Sequence, residues 1–246
     1  MSARTLMGVW AHPDDEAYVS AGLMAEFRRA GHRVVLVTAT LGEHGTNDPT
    51  HWPPARLAAH RRTELRNSLA ILDVDELHLL GYEDGTCDRH DGTAAVADLV
   101  ADIEPDLIVT FGPDGFTGHP DHRAVSRWAT DAWMYARPEA DLWYATVTPD
   151  SHRKWGSVNE RVGLWADQPD PPCTEPDDVA RSTVLTDEVL DLKVAALRAH
   201  ASQTTALIEM LGDATYREWW RTESFRRPDP GAGHASAIFD TQGATR

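Results

Sequence analysis

Apolar and polar positions along the chain fall into two alternating rhythms. Leu6 to Ala11 is a short apolar run; Ala17, Ala21, Met24 and Phe27 then recur at helical spacing, and Gly31 follows Arg28 and Arg29 as a helix stop. The β-branched run Val34 to Thr38 reads as a second, buried strand. The polar stretch from Gly42 to Pro54 is long for a connection inside a compact domain, and such loops tend to be functional. The rhythm then resumes. It predicts a helix over Ala55 to Leu72, a strand over Glu76 to Leu80 and a loop holding Gly81, Gly85 and Gly92. A helix over Thr93 to Ile103, a fourth strand over Leu107 to Phe111, a helix ending near Ala136 and a fifth strand over Leu142 to Val147 follow. Strands alternating with helices predict an α/β fold, a mostly parallel sheet with helices on both faces. Residues 149–183 are rich in Pro, Asp and Trp and read as loops with a short antiparallel pair. Thr186 caps one helix from Asp187 to Leu211, ended by Gly212. The expectation is one domain over 1–246, with irregular, substrate-lining or peripheral parts at 149–183 and 213–246.

Composition narrows the function. At 246 residues the chain can bury a core without disulfides. A formal charge of −16 opposes phosphate-backbone binding, so no nucleic-acid partner is expected, and none on an anionic membrane. The two cysteines, Cys87 and Cys173, make neither a disulfide framework nor a CxxC zinc site. The start, Met1-Ser2-Ala3-Arg4, lacks the features of a signal peptide, and no run reaches the roughly 18 apolar residues of a membrane span. A cytoplasmic protein is expected.

Two segments carry chemistry. His12-Pro13-Asp14-Asp15-Glu16 lies where the first strand meets the first helix, the edge at which open α/β sheets bind ligands. Acidic residues and Pro also suit a plain helix start, but capping needs no imidazole. One of the adjacent carboxylates can bind a metal while its neighbour faces an attacking water. His119-Pro120-Asp121-His122 stands at a second strand-to-helix junction, and histidines three apart share a face.

Together these segments resemble the PIG-L/LmbE-like family of zinc-dependent N-deacetylases. The resemblance rests on Ala11-His12-Pro13-Asp14-Asp15-Glu16 and Gly118-His119-Pro120-Asp121-His122, with weaker agreement at Arg61 to Glu64, Gly81-Tyr82-Glu83-Asp84-Gly85 and Leu197 to Gln203. It implies a Rossmann-like fold and one catalytic zinc per chain, bound by His12, Asp15 and His122. Asp14 would be the general base and His119 would face the developing oxyanion. The substrate implied is a small amino sugar or glycoside carrying an N-acyl group, most simply N-acetyl. Thiol-sugar conjugate amidases belong to the same family.

The residue types suit that reaction. Two imidazoles and one carboxylate leave a metal position open for water, and iron(II) suits the set as well as zinc. Asp14 can take the water's proton and pass one to the leaving amine. A protonated His119, held by Asp121, would stabilise the oxyanion. Glu43, Arg61, His200 and Gln203 are candidate substrate contacts, and the tryptophans Trp155, Trp165, Trp219 and Trp220 are candidate sugar-stacking surfaces. A two-metal phosphoesterase and a non-catalytic sugar-binding protein are the competing readings; one metal per chain and release of acetate separate them. A homo-oligomer is compatible with the sequence.

Overall fold

A computed structural model of the protein describes residues 3–168 and 171–229. Seven strands form one sheet: β1 (Thr5–Trp10), β2 (Arg33–Thr38), β3 (Glu76–Leu79), β4 (Leu107–Phe111), β5 (Asp141–Thr146), β6 (Val179–Val184) and β7 (Thr222–Arg226). Their order is β3-β2-β1-β4-β5-β7-β6. The first five run parallel, and β7 pairs antiparallel with both β5 and β6. From β1 the chain moves outward through β2 and β3, then returns to place β4 on the other side of β1. That reversal opens a crevice beyond the carboxyl ends of β1 and β4.

The helices are α1 (Asp15–Arg29), α2 (Pro54–Ile71), α3 (Thr93–Ile103), α4 (Pro120–Ala136), α5 (Pro149–Val162), α6 (Asp187–Ala199), α7 (Ala201–Leu211) and α8 (Asp213–Trp219). Helices α1 and α2 pack with α6, and α3 packs with α4, so both faces of the sheet are covered. The central strands are buried on both sides, which explains why β1, β2 and β4 read as continuous apolar runs. Each fully buried Leu, Val or Phe in them contributes about 1.5–3 kcal/mol of burial free energy. No helix among the described residues is long and apolar enough to cross a membrane.

The C-terminal third is more regular than its composition suggests. Residues 149–162, expected as loop, are α5: Thr148 accepts from the Ser151 amide, Pro149 opens the first turn, and Gly163 closes the helix in the left-handed region. Trp155, Val158 and Val162 give it an apolar stripe against the core. The single helix expected from Asp187 to Leu211 is two. It breaks at His200 (φ −85°, ψ 50°), whose ring turns fully inward. One amide freed at the start of α7 is met by Glu64, which accepts from Ser202 N at 2.7 Å and also from Ser202 Oγ at 2.6 Å. The antiparallel pairing is also larger than expected, because β7 comes from the tail and inserts between β5 and β6. Residues 230–246 of that tail lie outside the described residues.

β7 is tied to α1 by a buried pair. Lys193 Nζ donates to Glu223 Oε1 at 2.8 Å, with both side chains withdrawn from solvent. The same carboxylate accepts from Gly22 N and Leu23 N at 2.8 and 2.9 Å. Position 22 must be glycine for this approach, since a Cβ there would meet Leu185 Cδ2 at 2.5 Å and Glu223 Oε1 at 3.0 Å.

Candidate metal centre and active-site cleft

The two motifs meet at the crevice between β1 and β4. His12 follows β1, and His122 lies in the first turn of α4 after the loop that leaves β4. Their ring nitrogens approach face to face, with His12 Nδ1 3.2 Å from His122 Nε2. Asp15 Oδ1 lies 3.4 Å from His122 Nε2, and Asp15 Oδ2 lies 3.7 Å from His12 Nδ1. Ligands about 2.0–2.1 Å from a tetrahedral ion stand about 3.3 Å from one another, so this spacing fits one divalent cation.

Hydrogen bonds on the far side of each ring fix which nitrogen is free. His122 Nδ1 donates to Gly115 O at 3.0 Å, and the ring stacks on Phe111 at 4.1 Å between centroids, which leaves Nε2 as the nitrogen that could bind a metal. His12 Nε2 donates to Asp84 Oδ1 at 3.1 Å and Asp121 Oδ2 at 3.2 Å, which leaves Nδ1. Among the described residues two donor groups lie within 4.8 Å: His12, His119 and His122, and His12, Asp84 and Asp121. The second is already satisfied by these hydrogen bonds; the first side is where nitrogens face each other with no acceptor between them. Burial opposes charge on His12, yet Asp121, Asp84 and Asp15 push its pKa up to about 10, a measure of the negative charge around it. Burial and the neighbouring His12 drive His122 well below the usual histidine range, as suits a neutral ligand.

Asp14 stands beside this centre in a left-handed conformation, φ 114° and ψ −27°, rare for a residue with a Cβ and costing on the order of 1–3 kcal/mol. Its amide donates to Glu16 Oε2 at 3.0 Å, and its carbonyl accepts from Ala17 N and Tyr18 N. Arg61 completes the hold: Nη2 donates to Pro13 O at 2.6 Å and Asp14 Oδ2 at 3.2 Å, and Nη1 donates to Gly42 O at 2.8 Å. The loop can lie this close only because residue 42 is glycine, at φ 62°; a Cβ there would sit 2.0 Å from Arg61 Nη1. Burial raises the Asp14 carboxyl to about 6, against the pull of Arg61 and with a further push from Asp15.

His119 opens α4. Its Nδ1 accepts from Asp121 N at 3.2 Å, so the ring is the neutral tautomer with its proton on Nε2. Burial and the His12 charge lower its pKa further. The expectation of an imidazolium held by Asp121 is therefore corrected. The Asp121 carboxylate serves His12 instead, and also accepts from Gly85 N at 2.7 Å and Cys87 N at 2.9 Å.

The four candidate substrate contacts separate. Arg61 is buried and engaged with Asp14 and two carbonyls, which makes it a support for the carboxylate rather than a free sugar anchor. His200 is fully buried, with Nε2 2.9 Å from Glu16 Oε1, and stands behind the Asp14 loop. Glu43 accepts from Asp84 N at 3.1 Å and shapes the loop that carries Asp84. Gln203 lines the cleft and donates to Gly45 O at 3.2 Å. Asp84 and Glu16 were not singled out from the sequence. Asp84 sat in the weakly matching Gly81–Gly85 segment, and Glu16 read as a first-turn acid.

The cleft above these residues holds about 470 Å³. One side is polar: His12, Asp14, Asp15, Asp84, His119 and His122. Apolar lining comes from Tyr18, Val19, Phe111 and Phe116 and, in the C-terminal third, from Val162, Leu164, Leu207, Trp219 and Trp220. Trp155 and Trp165 are half-buried and line a small side cavity of about 50 Å³.

Converging metal-type donors beside a buried carboxylate that Arg61 holds at 3.2 Å suit water attack on a carbonyl. The chain belongs to the PIG-L family, whose GlcNAc-PI de-N-acetylase model matches residues 7–133. It is 32% identical over 236 residues to the 1D-myo-inositol 2-acetamido-2-deoxy-alpha-D-glucopyranoside deacetylase of Acidothermus cellulolyticus, covering 81% of this chain and 80% of that protein. It is 31% identical over 208 residues to the probable N-acetyl-alpha-D-glucosaminyl L-malate deacetylase 2 of Bacillus subtilis, covering 81% and 83%. In fold it is similar to the N,N'-diacetylchitobiose deacetylase of Pyrococcus horikoshii, with a TM-score of 0.65, 20% identity, and coverage of 97% of this chain and 89% of that one.

Proposed function

We propose that this protein is a zinc-dependent N-deacetylase that hydrolyses the acetamide of an N-acetylglucosaminide, releasing acetate and the free amine. The observation that carries the reading is the convergence of His12 Nδ1, His122 Nε2 and Asp15 beside a strained, buried carboxylate. The glucosaminide deacetylases to which the chain is similar support the substrate class.

A zinc ion held by His12, Asp15 and His122 would supply Lewis acidity to the attacking water and the acyl oxygen. Asp14 accepts the water's proton as the oxygen attacks the acyl carbon, and its carboxyl, raised to about 6, can pass that proton to the departing nitrogen. His119 donates from Nε2 to the oxyanion as the carbonyl becomes tetrahedral, and needs no positive charge to do so. Arg61 and Glu16 keep Asp14 in its unfavourable backbone conformation, so its carboxylate is aimed before substrate arrives.

The test is amine release from N-acetylglucosaminides by zinc-loaded protein, with metal counted per chain. One zinc and activity that Asp14→Asn abolishes while zinc is retained is the expected result. Full activity after metal removal, or two metals per active chain, would overturn the proposal.

A further inference from the structure

The charges lining the cleft select among glucosaminides. Three carboxylates, those of Asp14, Asp15 and Asp84, face it, and Asp121 lies just behind His12. Arg61 is the one Lys or Arg on the cleft lining among the described residues. It is 4% exposed, and its two terminal nitrogens are taken by Pro13 O, Gly42 O and Asp14. The side cavity behind Trp219 and Trp220 has no Lys or Arg on its lining among the described residues; its Glu223 carboxylate is already paired with the fully buried Lys193 at 2.8 Å. A carboxylate or phosphate that lies against the apolar wall loses water and finds no free Lys or Arg among the described lining residues.

The apolar wall points the same way. Trp219 Nε1 donates to Asn159 Oδ1 at 2.9 Å, which fixes one ring, and Trp220 packs on it at 4.3 Å between centroids. Leu164 and Leu207 continue the surface. A flat, uncharged group rests on such a wall by burial and stacking. The substituent at the sugar's first carbon is one bond from the carbon bearing the reacting amide, close enough for an aglycone to reach this wall.

We infer that the enzyme selects its substrate by the charge of the aglycone: it takes N-acetylglucosaminides whose aglycone is neutral, seated on the Leu164–Leu207–Trp219–Trp220 wall, and discriminates against those whose aglycone carries a carboxylate or phosphate. This inference rests on the deacetylase reading above. It separates the two kinds of glycoside on which the similar proteins act by name, an inositol and an L-malate glycoside.

The experiment measures kcat/KM for amine release by zinc-loaded wild-type protein with three substrates: N-acetylglucosamine, its neutral inositol glycoside and its malate glycoside. The inositol glycoside is expected to exceed the free sugar at least tenfold, with the malate glycoside at or below the free sugar. Leu207→Arg, which sets a cation on the wall, is expected to raise the malate-to-inositol ratio at least tenfold. Gln203→Arg, at a polar position on the same helix, repeats the test should the first variant fold poorly. A malate glycoside equal to or better than the inositol glycoside, or an unchanged ratio in the folded arginine variants, overturns the inference and leaves the deacetylase reading standing. No amine from any of the three substrates overturns both.

Discussion

Asp84→Asn tests how the metal centre is held together. The substitution keeps size and shape and removes one negative charge 3.1 Å from His12 Nε2. Asp121 remains at 3.2 Å, so the ring keeps its orientation and the tautomer that presents Nδ1. What it loses is half of the carboxylate support that makes the ring a strong donor. Losing an outer partner of a metal-binding histidine typically weakens affinity about 10–100-fold, which is about 1.4–2.7 kcal/mol. The remaining Asp121 bond places this variant toward the lower figure. Asp121→Asn should cost more, because that carboxylate also holds Gly85 N and Cys87 N and is wholly buried. Zinc affinity measured by competition with a fluorescent chelator reads both. Zinc-saturated Asp84→Asn should keep a kcat within a few-fold of wild type, since Asp14 and His119 are untouched. Wild-type zinc affinity in Asp84→Asn would refute the assignment of Asp84 as a support of His12.

Other outcomes follow from the same geometry. Asp14→Asn, a residue type that tolerates positive φ, should lower kcat by about 10²–10⁴ with zinc retained and thermal stability undiminished; zinc loss in this variant would make Asp14 a ligand instead. Because burial raises the Asp14 carboxyl to about 6, it is protonated below that pH, and kcat/KM should fall with acid through that region. A bound cation pulls the limb lower, as Arg61 does, so a limb centred well above 7 would count against Asp14 as the base, and Arg61→Leu should move it upward. Glu223→Ala strands Lys193 and should cost about 3–5 kcal/mol in urea unfolding. Lys193→Met should cost less, because Glu223 keeps its two amide donors.

The first five strands and the helices between them were legible because a doubly covered parallel sheet writes itself as apolar runs separated by amphipathic ones. The cluster of His12, Asp15 and His122 was legible for a related reason, since both segments sit where a strand gives way to a helix. The rest was hidden in polar residues whose partners are remote. Nothing local marks Lys193 as buried; it reads as one more solvated helix lysine until Glu223 arrives from the tail. Asp121 sits next to His119 in sequence, yet its carboxylate reaches back to His12, and only its amide serves the neighbour. In α5 the stop and start signals were present, in Thr148, Pro149 and Gly163, but the acidic and tryptophan-rich composition around them obscured the stripe of Trp155, Val158 and Val162. His200 ends a helix because its side chain finds Glu16, a tertiary cause that propensity does not carry.

The clamp of Glu223 on Gly22 and Leu23 joins the last strand to the first helix across 201 and 200 residues of sequence. That helix begins at the metal centre. His12 and Asp15 are therefore synthesised some two hundred residues before the strand that anchors their helix. Until β7 inserts between β5 and β6, Lys193 has no carboxylate and the Trp219–Trp220 wall has no backing. Contacts this distant form slowly and late. An amino-terminal fragment that holds every proposed ligand would thus still lack the strand that fixes their helix in place.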